Sequence, residues 1–116
     1  MSFSADPIRA QFRSTLVDIA RYLVTHPDAK DSLEGVIHWW RSDATKEPDA
    51  RQVRKVLHFM TSIGWLAARK TPGPQVIFSA APGSLLQMQV FLTLHGQDER
   101  LAWRWLFQDG AGTRHE

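Results

Sequence analysis

The sequence predicts a mainly helical chain with one small β-hairpin, an α+β class, and three observations lead there. Apolar residues recur at helical period over residues 8–23 and again over 53–63. Between two short apolar runs, Thr71-Pro72-Gly73-Pro74 packs two prolines and a glycine into four residues, which marks a turn. With 116 residues and 43% hydrophobic content, the chain suits one domain with a real core.

The first helix has Asp6 as a candidate cap and Pro7 at its first position, where the missing N–H costs nothing. Ile8, Phe12, Leu16, Ile19 and Leu23 form its apolar stripe, while Arg9, Arg13, Asp18 and Arg21 lie off it. Pro27 predicts a stop near His26, because the residue before a proline disfavours helical geometry. In the second helix Asp31 is read as the cap, with Glu34 reaching back. Leu33, Val36, Ile37 and Trp40 make its buried side, and Gly35 weakens it moderately. Residues 41–47 form a polar connector.

A third helix is expected from Pro48, with Glu47 and Asp49 at the positive end of its dipole. Val53, Val56, Leu57, Met60 and Ile63 point inward; Arg51, Arg54, Lys55, His58 and Ser62 fall within about 100° on the opposite side. Gly64 is a plausible left-handed terminator. Strands over residues 65–70 and 75–79 then build the hairpin, which carries Arg69 and Lys70. Residues 85–94 fit a helix, with Ser84 as its cap, slightly better than a strand. Asp98 caps a last helix through Leu101 and Trp105, and residues 110–116 read as a flexible tail.

Net charge is a mild +2, yet it is unevenly spread. Residues 1–49 carry −2 and residues 98–116 carry −1, whereas residues 50–97 carry five bases, no acid and thus +5. Those bases are Arg51, Arg54, Lys55, Arg69 and Lys70, a placement suited to a polyanionic partner.

Other chemistries find no anchor. Without cysteine there is no disulfide or thiolate metal site. The five histidines show no metal-ligand spacing and no glycine-rich phosphate loop occurs, so no cofactor, no metal and no enzymatic activity are expected. No apolar run approaches the ~18 residues of a membrane span, and the charged start shows no export signal, which leads to an expected cytoplasmic location.

The order helix, short helix, basic amphipathic helix and hairpin resembles the winged helix-turn-helix family over about residues 8–80. Leu57, Gly64, Trp65, Leu66 and Arg69 match its junction between recognition helix and wing. The resemblance implies a double-stranded DNA-binding protein, a small transcriptional regulator, with the third helix in the major groove. Arg51, Gln52, Lys55 and His58 are then the expected base contacts, and Arg54, Arg69 and Lys70 the expected phosphate contacts. His58 lies on the same helical face as Arg51, Arg54 and Lys55. Residues 84–107 are expected as a C-terminal extension whose apolar run, too uncharged for a surface helix, serves a homodimer.

The alternative is a protein–protein interaction or adaptor module, since winged helices also serve that purpose. Its partner would bind exposed apolar surface at Trp39, Trp103 or Phe107. Trp40 and Trp65 are assigned to the core.

Overall fold

A computed structural model describes residues 7–40 and 49–110. The elements run α1 (Pro7–Thr25), β1 (Lys30–Asp31), α2 (Leu33–Trp39), α3 (Ala50–Ser62), β2 (Leu66–Lys70), β3 (Val76–Ala80), α4 (Ser84–Gln97) and α5 (Glu99–Trp105). A single π-helical turn, Leu106–Gly110, closes the described chain. The architecture is mainly helical with one small antiparallel sheet of strand order β1-β3-β2, an α+β arrangement.

α1 occupies the centre because its stripe is unbroken. Leu16, Ile19 and Leu23 are fully buried, and the helix packs against α3 on one side and α4 on another. Val53, Val56, Leu57 and Met60 fill the gap from α3, while Met88, Phe91 and Trp103 fill it from the C-terminal elements. The expected cap Asp6, the expected start Pro48, the connector 41–47 and tail residues 111–116 lie outside the described residues.

At the α2 entrance the cap is Ser32, not Asp31: its hydroxyl accepts from the Gly35 N–H at 3.4 Å. Asp31 has been taken by tertiary structure. Its carboxylate accepts the Trp40 indole Nε1–H at 2.7 Å, and its backbone pairs with Phe78 as half of β1. This explains Gly35, since a Cβ there would lie 2.5 Å from Asp31 Oδ1 and 2.8 Å from Asp31 Cβ. The glycine is therefore a requirement of close packing, beyond the small propensity cost expected of it.

β1, a strand of two residues, was not expected; so short a segment has no readable alternation. It places β3 in the middle of the sheet and ties the hairpin to the start of α2. The hairpin itself falls within a residue of its expected bounds, in the register Leu66↔Ala80 to Lys70↔Val76.

Residues 84–97 are helical, which resolves the expected choice between helix and strand. Gly83, at φ 81°, is the cap residue, and Ser84 is the first helical residue. The Ser84 hydroxyl instead looks backward, 2.7 Å from the Ala81 carbonyl oxygen and 3.0 Å from that of Trp65, sharing its proton between them. Asp98 caps α5 as expected, accepting from the Arg100 N–H at 3.1 Å.

Candidate nucleic-acid interface

α3 begins where Asp49 accepts the N–H groups of Arg51 and Gln52 at 3.1 and 3.3 Å, satisfying two donors that the helix leaves open. It ends at Gly64, whose φ of 85° is open to glycine and strained for other residues. This phase turns Val53, Val56, Leu57, Met60 and Ile63 into the core and leaves Arg51, Arg54, Lys55, His58 and Ser62 exposed. The four basic side chains make one stripe along the outer face.

Gln52 departs from expectation. It is only 5% exposed, on the flank of α3 that faces α1 and Trp103, so it is withdrawn from the groove contacts. Helix geometry supplies the reason: at about 100° per residue Gln52 stands about 60° beyond Lys55, the last of the polar arc, and about 20° from buried Ile63.

In the hairpin Arg69 and Lys70 are both exposed, but they face opposite ways, because successive strand residues alternate between faces. Lys70 stands opposite Val76, and Ala68 opposite Phe78, so Lys70 shares a face with Val76 and Phe78. Those two residues, with Pro74, Ser32, Arg54 and Leu57, line a groove of about 470 Å³ between hairpin and α3. Lys70 is thus on the sheet face that supplies Val76 and Phe78 to this groove, while Arg54 lines the groove itself and Arg69 with Ile77 belongs to the far face. The turn is braced by Thr71, whose hydroxyl donates to the Gln75 carbonyl at 2.8 Å.

None of Arg51, Arg54, Lys55, Arg69 and Lys70 has an ion-pair partner among the described residues. Side chains not held in such pairs are available to a polyanion. Glu34 is the one acid on the wall of the hairpin–α3 groove.

The tryptophans sort clearly. Trp40 and Trp65 are core, as expected. Trp103 is buried too, at 4% exposure, its ring meeting Phe91 edge-on at 5.0 Å and carrying the Arg13 guanidinium 5.2 Å from its centroid. Among the described residues the exposed large aromatics are Trp39, at 69%, and Phe107, at 61%.

Arg9 and Arg13 gained no role from the sequence. The structure gathers them with Lys55, Phe12, Trp103 and Phe107 around a second cleft on the opposite flank of α3. The signal for it was the shared four-residue spacing of Arg9/Arg13 and of Trp103/Phe107, which puts each pair on one helix face. Among the described residues no group of three or more His, Asp or Glu could hold a metal ion, and no helix is long and apolar enough to cross a membrane.

Comparison of the chain with protein-family models, curated proteins and solved structures found no match. The functional reading therefore rests on the geometry above.

Proposed function

We propose that this chain is a winged helix-turn-helix domain that binds double-stranded DNA as a homodimer, a small cytoplasmic transcriptional regulator acting by binding alone. The observation that carries the reading is the exposed stripe Arg51, Arg54, Lys55 and His58, free of ion pairs among the described residues and flanked by Lys70 on the hairpin. The element order supports it, and an α-helix fits the major groove. Arg51, Lys55 and His58 meet base edges. Arg54 and Lys70 hold phosphates across the groove between α3 and the hairpin, and Arg69, on the other face, holds the backbone beyond it.

Salt tests this directly. With Arg54, Arg69 and Lys70 on phosphates, the log–log dependence of affinity on salt has a slope of about −2.7 per subunit, at about −0.9 for each phosphate neutralised. A mobility-shift titration of random-sequence duplex at several salt concentrations measures it. A flat response rejects the electrostatic account.

The dimer rests on α4. Its fourteen residues, SLLQMQVFLTLHGQ, contain no Asp, Glu, Lys or Arg. While Met88 and Phe91 face the core, Leu86 (71% exposed) and Val90 stand outward beside Gln89, Thr93, Leu94 and Gln97 around a shallow groove. A second copy of α4 is the partner with a matching surface. Sedimentation at micromolar concentration will give twice the chain mass, and Leu86→Glu will return it to one chain mass; a monomeric native protein rejects the dimer. The competing adaptor reading is favoured by exposed Trp39 and Phe107, which lie on different elements, while Trp103 is buried.

A further inference from the structure

We infer that the cleft between α1, α3 and the C-terminal π-turn is a binding site for a small planar aromatic anion. The cleft holds about 560 Å³, within the range of small-molecule pockets. Arg9 and Arg13 enter from α1 and Lys55 from α3, and no Asp or Glu is among the described residues that line it. Three cations gathered at one concavity repel one another, and an anion between them relieves that repulsion.

The walls set the rest of the ligand. Half-buried Phe59 meets both Phe12 and Phe107 edge-on at 5.6 and 6.0 Å, and those two rings supply apolar wall to the cleft. Phe107 offers most of its ring outward, as a surface on which a flat ring can stack. Trp103 forms part of the wall, and its buried indole Nε1–H has no acceptor among the described residues. Apart from that indole, Gln52 is the one neutral hydrogen-bonding side chain in the lining. This favours an aromatic carboxylate over a nucleotide, whose sugar hydroxyls would need more partners.

The neighbouring cleft, across Arg9 and Arg13, lacks this character. Asp18 and Glu99 lie in its wall with Arg21 and His95, and Arg21 stands 4.0 Å from Asp18, so two acids offset most of its positive charge.

Lys55 belongs both to the cleft and to the exposed stripe of α3. A carboxylate held there engages one of the cations offered to DNA, so occupancy weakens DNA binding. That consequence rests on the proposed DNA function; the binding site does not.

The test titrates the full chain with 2-naphthoate, with 2-naphthylmethanol, which keeps the ring and lacks the charge, and with acetate, which lacks the ring. Calorimetry gives affinities, and the five indole N–H resonances report the contact. Naphthoate will bind about tenfold or more tighter than either control and will shift one indole resonance. Arg9→Gln with Lys55→Gln, both exposed positions, will weaken naphthoate about tenfold or more with an unchanged melting temperature. Equal affinity for the alcohol, or undiminished affinity in the double variant, overturns the site. Naphthoate binding by a protein that fails to bind duplex DNA upholds the cleft and removes only the DNA function.

Discussion

Arg51→Ala combined with Arg54→Ala will lower affinity for duplex DNA by at least about thirtyfold while leaving the protein folded. A base contact and a phosphate contact are removed together, and each well-placed arginine contact contributes about 1–3 kcal/mol. The structural cost is small, because both side chains are exposed and neither has an ion-pair partner among the described residues. Alanine suits a helix interior, and such surface changes stay within about 0.5 kcal/mol. A mobility shift and a thermal melt on the same preparation separate the two effects. Wild-type affinity in the double variant would reject α3 as the DNA-facing element and leave Trp39 and Phe107 as the places for a protein partner. Keeping Lys55 intact also keeps the aromatic-anion cleft out of this experiment.

Trp65→Ala is expected to cost about 3–5 kcal/mol, the usual range for emptying a buried tryptophan site. Total stabilities run to about 5–15 kcal/mol, so much of the margin goes. Trp65 is fully buried, packs edge-on against Phe91 at 5.7 Å and donates its Nε1–H to Gln87 Oε1 at 3.1 Å. Alanine leaves a cavity and strands a half-buried acceptor. Trp65→Phe keeps most of the ring and loses that hydrogen bond, so it should recover most of the deficit. Urea unfolding followed by far-UV circular dichroism gives both values. If alanine shifts the midpoint no further than phenylalanine does, the packing role assigned to this residue is wrong.

What the sequence made legible follows from the range of the forces involved. α1 and α3 are read correctly because one apolar stripe fixes their phase, and the hairpin because its turn chemistry is local. Errors arise where a residue had two local uses and a distant one decided. Asp31 and Ser32 both suit a helix cap; the Trp40 indole, nine residues on, claims Asp31 and leaves the cap to Ser32. Ser84 likewise gives up capping for the carbonyl of Trp65, nineteen residues earlier. Gln52 lies between the two arcs but nearer the apolar one, and its polar side chain masked a burial that the helical phase already favoured. The convergence of Arg9, Arg13 and Lys55 is tertiary throughout, since α1 is separated from α3 by β1 and α2 and the cleft is closed by the last described turn.

The bonds around Trp65 bear on how deletions of this protein are to be read. Its carbonyl accepts the Ala81 N–H at 2.9 Å and the Ser84 hydroxyl at 3.0 Å, while its ring and indole N–H engage Phe91 and Gln87. The root of the hairpin and the first turns of α4 thus share partners and open together, as one cooperative unit in hydrogen exchange. Cutting the chain after Ala80 would bare the Trp65 indole and remove the Ala81 and Ser84 donors from its carbonyl. Loss of DNA binding in such a fragment would report unfolding of the hairpin, and would say nothing about whether α4 or α5 touches DNA.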